Sequence, residues 1–173
     1  MIPTRWIQTD AEWTARLRVA ERPGLHRSAA IVLAHSGDSW FWGVGLGLVW
    51  WLGDPAWKQL AGWTFLAVLV LALAVLAVKF LVRRRRPEGE WGAIYRNTDP
   101  HSFPSGHAAR AFLLATLALG WGPGWLAIAL WIWAPLVAVA RIAMGLHYLS
   151  DVLAGVVLGA LAGLIWITVL PVP

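Results

Sequence analysis

Cysteine is absent from these 173 residues. No disulfide or thiol chemistry is therefore available to the chain, and cysteine usage says nothing of the redox compartment. Acidic residues are scarce too: Asp and Glu number 9 against 14 Lys and Arg, and charged residues make up only 13% of the chain. An ordinary soluble domain carries about twice that charged share, whereas hydrophobic residues here reach 59%. A soluble globular domain is excluded by these proportions. The N-terminal stretch holds Arg5, Asp10, Glu12, Arg16 and Arg18 with no compact apolar stretch behind them. It is therefore not expected to be a cleaved signal peptide.

What is present comes in long apolar runs. No charge occurs from Gln59 to Val78, from Gly124 to Ala140, or from Val152 to Pro173. An apolar helix needs roughly 20 residues to cross a bilayer core, and lipid leaves few alternatives to helix for satisfying backbone groups. The expected fold is all-α: a polytopic transmembrane bundle of about five spans, forming one domain over residues 1–173. Residues 1–27 form a surface segment in this reading, with Asp10 to Glu21 as an amphipathic interfacial helix; a solvated helix or loose arm is the competing reading. The first span falls within Ser28–Leu52 and is interrupted at His35, Ser36, Gly37 and Asp38. The others run about Gln59–Val82, Ser105 to before Gly120, Trp125–Ala143 and Leu149–Leu170. Among the 14 tryptophans, Trp50, Trp51, Trp57, Trp121 and Trp125 cluster at turns where spans meet headgroups. Trp131 and Trp133 lie mid-span and are expected to pack.

Because spans alternate sides, the end of span two, the start of span three, the end of span four and the start of span five share one face. The unusual polar residues gather there. Lys79 and Arg86 are seven apart, on one helical side if that helix continues, and Arg141 ends span four. Three cations at membrane depth call for a balancing anion. Pro104-Ser105-Gly106-His107 opens span three, where a helix N-terminus offers free N–H groups and glycine admits an anion close to the backbone. Together these describe a phosphoryl pocket. His147 and Asp151 are four apart, so the carboxylate can hold one imidazole N–H and leave the other nitrogen to attack phosphorus. His107 can protonate the departing oxygen.

Lys79 through Arg86-Pro87 reads K-x6-RP, residues 104–107 read PSGH, and Arg141 to Asp151 reads R-x5-H-x3-D. In order and spacing these resemble the three-part signature of the type-2 phosphatidic acid phosphatase (PAP2) superfamily, over roughly residues 59–170. The resemblance implies a phosphohistidine on His147, with His107 as general acid and Asp151 supporting the nucleophile. It also implies phosphate binding by Lys79, Arg86, Ser105, Gly106 and Arg141, with no metal and no other cofactor. The chain departs from the pattern in having Ala140 where serine is usual, and in five spans where membrane members often have six.

The implied partners are a membrane lipid phosphate and the bilayer, with no nucleic acid. Candidate substrates are phosphatidic acid, phosphatidylglycerol phosphate, a polyprenyl phosphate or diphosphate, and a polyprenyl-phosphoribose phosphate. Two other classes stand beside the phosphatase: a vanadate-dependent haloperoxidase, and a lipid-phosphate binding or transport protein without catalysis. The second would be expected to lack His147 or His107. His26, His35 and His101 are read as structural, with His35 and Asp38 packing at a helix start or lining a lipid entrance. Arg83, Arg84 and Arg85 are read as a snorkelling anchor at the membrane surface, or as attraction for an anionic headgroup. Glu88, Glu90, Tyr95 and Asn97 are candidates to contact one. Apart from the pocket cations, the site face carries Arg5, Arg16, Arg18, Arg22, Arg27, Arg83, Arg84, Arg85, Arg96 and Arg110, and the opposite face only Lys58. The positive-inside rule then favours the cytoplasmic face of the cell membrane for the site, whereas the resemblance to many bacterial members of the superfamily implies the outer face.

Overall fold

The computed structural model describes residues 4–91 and 99–170; Tyr95, Arg96 and Asn97 lie outside the described residues. Among the described residues seven helices follow in chain order: α1 (Thr4–Leu17), α2 (Leu25–Ser36), α3 (Ser39–Leu52), α4 (Pro55–Val82), α5 (Gly106–Trp121), α6 (Gly124–Ala143) and α7 (Leu149–Val169). No strand occurs among the described residues, apart from an isolated bridge between Arg85 and His101. Helices α4, α6 and α7 are long and apolar enough to cross a membrane, and the protein is a membrane protein. Helices α5 and α3 are shorter, at 16 and 14 residues. The span expected over Ser28–Leu52 is two helices, α2 and α3, broken at Gly37 and Asp38.

Helix α5 is the centre of the bundle, with every side chain from Ala108 to Ala118 buried. A helix apolar all round has no polar face to offer water, so it is surrounded by other helices. Around it, α4, α6 and α7 present apolar residues outward, among them Leu73, Ile132 and Leu161. The closest packing is between α5 and α7, where Gly155, Gly159 and Gly163 of α7 are buried. A side chain there would collide with α5: a Cβ on Gly159 would sit 2.0 Å from the Ala109 carbonyl oxygen, and one on Gly155 2.5 Å from that of Ser105. Small residues let backbones approach where helix association gains nothing from excluding water. Trp131 meets Phe112 edge-on, and Trp133 packs on Trp42, so both mid-span tryptophans do pack.

Two local features set the site face. Helix α4 ends at Val82, where Arg83 caps it in the left-handed region at φ 51°. The helix therefore does not continue to Arg86, and the seven-residue spacing does not by itself align Lys79 with Arg86. Arg86 returns to the bundle on the extended segment that the Arg85–His101 bridge holds. Helix α1 docks on the start of α7. Asp10 Oδ1 accepts from the Ser150 N–H at 3.0 Å and Thr14 Oγ1 from the Leu149 N–H at 3.0 Å. These are N–H groups that α7 cannot satisfy itself. The helix expected over Asp10–Glu21 is α1 at Thr4–Leu17, ending before Glu21; Trp6, Ile7, Trp13 and Leu17 of it remain exposed, while Ala20 lies beyond it and is buried.

Candidate active site

Three helix ends and one loop converge on a cavity of about 290 Å³, lined by Lys79, Asp99, Gly106, His107, Arg110 and His147 together with apolar residues of α4. His147 lies in the short loop between α6 and α7 and is buried. Its Nδ1 is 2.8 Å from the Ser102 carbonyl, and its Nε2 is 3.2 Å from Nη1 of Arg86. A carbonyl only accepts and a guanidinium only donates. These two partners therefore require a neutral ring with the proton on Nδ1 and a lone pair on Nε2. Burial, reinforced by the charges of Arg86, Arg141 and Lys79, pushes the imidazole well below its ordinary 6.5. The lone pair on Nε2 is thus kept well into the acid range.

The expected His147–Asp151 hydrogen bond is replaced by another. The Asp151 carboxylate is 3.8 Å from Nδ1, beyond hydrogen-bond length, and the Ser102 carbonyl takes the proton. Asp151 instead holds the loop. Its Oδ2 accepts from the Tyr148 N–H at 2.9 Å, and its Oδ1 accepts from Arg84 at 2.7 Å. Arg84 also reaches Asp10 at 2.6 Å and lies over the Tyr148 ring at 4.0 Å. It is neither a snorkelling anchor nor open to a headgroup; it ties α1, the α4 return segment and α7 together.

Lys79 and Arg86 meet at one carboxylate. Lys79 Nζ donates to Asp99 Oδ2 and, at 3.1 Å, to the His101 carbonyl. Arg86 donates to the same Oδ2 at 2.8 Å and to the Leu146 carbonyl at 2.8 Å. Burial alone would push the Asp99 carboxyl up, but Lys79 and Arg86 hold it below the usual carboxylate range. Asp99 is thus the anion that balances this pair. Arg141 is buried at the end of α6, close enough for its charge to act on both His107 and His147.

Ser105 is the N-cap of α5, buried, with its hydroxyl 3.5 Å from the Ala108 N–H and its own N–H donating to the Asp151 carbonyl at 2.9 Å. It joins the starts of α5 and α7 rather than lining the cavity, which its neighbours Gly106 and His107 do. Ala140 packs among Ala20, Ala34, Ala143 and Met144, so its methyl group is part of an apolar cluster. Arg110 is buried, donating to the Gly37 carbonyl and, at 2.6 Å, to Ser39 Oγ. It is therefore not a surface charge that orients the chain. Glu90 pairs with Arg27 at 2.8 Å, and the Glu88 carbonyl accepts from Arg18.

Sequence reading missed Ser102, Asp99 and the roles of Arg84 and Arg110. All four act through partners far away in the chain, which spacing does not reveal. Four of the eight expected site residues, Lys79, Gly106, His107 and His147, line the cavity; Arg86 and Asp151 lie beside His147, Arg141 is buried nearby, and Ser105 joins the helix starts behind them.

The sequence profile of the PAP2 superfamily matches residues 61–172, and the chain belongs to that superfamily. It is 43% identical over 101 residues to a decaprenylphosphoryl-5-phosphoribose phosphatase of Mycobacterium tuberculosis, covering 57% of this chain and 54% of that protein. It therefore spans about half the length of that relative. A Mycolicibacterium smegmatis protein of the same name is 36% identical over 142 residues, covering 79% of this chain and 74% of its own. Among solved structures, a transmembrane PAP2 type phosphatidylglycerolphosphate phosphatase from Bacillus subtilis superposes with a TM-score of 0.78 at 20% identity. That match covers 95% of this chain and 86% of the Bacillus one, and is a likeness of fold.

Proposed function

We propose that this protein is a metal-independent phosphatase that removes phosphate from a membrane lipid through a phosphohistidine intermediate. The observation that carries the reading is the His147 imidazole. Its Nε2 lone pair stands beside Arg86, and Lys79 and His107 line the same cavity. In this reading Nε2 attacks phosphorus while the ester P–O bond breaks and the departing oxygen takes a proton from His107. The Ser102 carbonyl supports the charge that appears on the phosphorylated ring. Water then attacks phosphorus, giving its proton to His107, and inorganic phosphate leaves with His147 neutral again. Lys79, Arg86 and Arg141 stabilise the phosphoryl oxygens, aided by the backbone at Gly106. The same three cations argue against a metal ion in the pocket.

Two features support a lipid substrate. The cavity continues from Lys79 along α4 past Val75, Leu71 and Val68, about 16 Å at 1.5 Å per residue, which suits an apolar tail. The mycobacterial relatives are named for a decaprenylphosphoryl-5-phosphoribose substrate, which favours a polyprenyl-phosphoribose phosphate here. The test is release of inorganic phosphate from phosphatidic acid, phosphatidylglycerol phosphate, undecaprenyl diphosphate and a polyprenyl-phosphoribose phosphate in detergent. The last is expected to be hydrolysed fastest. Hydrolysis of none of the four would remove the enzyme reading, and leave a lipid-phosphate binding or transport protein.

The site faces the cytoplasm of the cell in this proposal, because Arg5, Arg16, Arg18, Arg22, Arg27, Arg83 and Arg85 lie on its side and only Lys58 on the other. The cysteine-free chain suits labelling of single introduced cysteines. In whole cells an impermeant maleimide is expected to label Trp57→Cys and to leave Glu12→Cys unlabelled; the reverse pattern overturns the orientation.

A further inference from the structure

The break between α2 and α3 brings a carboxylate against the proposed general acid. Asp38 Oδ1 lies 2.7 Å from His107 Nε2, and its Oδ2 lies 3.0 Å from Nδ1 of the half-exposed His35. This placement is built by several elements. Arg110 of α5 donates to the Gly37 carbonyl and to Ser39 Oγ. Trp133 of α6 donates to Ser36 Oγ at 2.8 Å, and Trp42 of α3 to the Ser36 carbonyl at 3.0 Å. Gly37 admits the close approach, since a Cβ there would stand 3.2 Å from His107 Cδ2 and 3.0 Å from Val137 Cγ1. Packing at a helix start requires none of this. A bare helix start also does not explain a carboxylate aimed at an imidazole that lines the phosphoryl cavity.

We infer that Asp38 is the positioning residue for His107, holding its Nε2–H so that Nδ1 is the atom that gives and receives the proton. A carboxylate only accepts, so the ring must keep a hydrogen on Nε2. The Cδ2–Nε2 edge faces Gly37 and Asp38, which leaves Nδ1 on the opposite edge. To act as the acid the ring must carry both protons when substrate is bound, and Asp38 is placed to balance the charge it then has. The Nδ1 proton goes to the departing oxygen, and the neutral ring, still holding Nε2–H, takes a proton at Nδ1 from the attacking water. The logic is that of a carboxylate fixing the tautomer of a catalytic histidine. The inference rests on the phosphatase reading above.

The test compares two esters with the same alkyl tail, an alkyl phosphate and a 2-nitro-4-alkylphenyl phosphate. The nitrophenol leaves without needing a proton; the alkoxide does not. For Asp38→Asn, kcat/KM, which reports the steps through departure of the leaving group and not the later attack of water, is expected to fall on the order of 100-fold on the alkyl ester and less than about 3-fold on the nitrophenyl ester, as loss of general-acid help predicts. Asp38→Glu, which keeps the charge but moves it by one methylene, is expected to show a smaller loss confined to the alkyl ester. It also keeps the test open if the amide variant does not fold. Equal losses of kcat/KM on both esters would mean a merely structural role and overturn the inference, as would unchanged kcat/KM on both. A wild-type protein that hydrolyses neither ester nor any lipid of the panel overturns the phosphatase reading instead.

Discussion

Replacement of His147 by alanine is expected to abolish phosphate release from whichever lipid phosphates the protein hydrolyses, by about 10⁴-fold or more, as when a covalent nucleophile is removed elsewhere. The expectation follows from the ring's surroundings. Ser102 holds the proton on Nδ1, Arg86 faces Nε2, and burial with the neighbouring charges keeps the ring neutral. No other nucleophile with that preparation lines the cavity among the described residues. Two measurements check it: the initial rate of phosphate release, and the acid-labile, base-stable label retained on the protein after a brief pulse of radiolabelled substrate. Wild-type protein is expected to carry that label and His147→Ala to carry none. A variant that still turns over at more than about 1% of the wild-type rate would rule out the phosphohistidine route.

The second large effect concerns the scaffold. Gly159→Ala is expected to destabilise the protein by about 3 kcal/mol or more, the upper end for overpacking. The added Cβ would sit 2.0 Å from the Ala109 carbonyl oxygen, and backbone on both sides leaves nothing flexible to move aside. Pushing α7 away from α5 would also separate the Ser105 N–H from the Asp151 carbonyl, a bond of 2.9 Å that joins the two helix starts. Activity is therefore expected to fall with stability. The control is Gly43→Ala on α3, where a Cβ meets nothing within 4 Å. Thermal midpoints of the two variants in the same detergent decide the matter. A Gly159→Ala midpoint equal to that of Gly43→Ala would mean that the α5–α7 contact is not what the glycine protects.

Much of the site was legible because its chemistry is local in sequence. K-x6-RP, PSGH and R-x5-H-x3-D each place their residues within about ten positions of one another. The alternation of spans then brings the pieces to one face without further information. What spacing misjudged depends on where a helix stops. Lys79 and Arg86 looked like one helical stripe, but α4 ends at Val82 and they meet only because both reach Asp99. His147 and Asp151 looked like a bonded pair, but the ring turns to the Ser102 carbonyl, and Asp151 is engaged by Tyr148 and Arg84. Arg110 counted as a topological charge and proved to be a buried clamp on Gly37 and Ser39.

The sequence by itself determined the membrane bundle, the superfamily and the candidate groups for binding a phosphate, because hydrophobic length and motif spacing are properties of the chain alone. Only the tertiary structure decided which partner each of those groups has. It assigned Ser102 to His147, Asp38 to His107, Asp99 to the cations and Arg84 to Asp151. The physical reason is that a hydrogen bond or ion pair is made at about 3 Å between atoms, and these partners stand far apart along the chain until the helices pack.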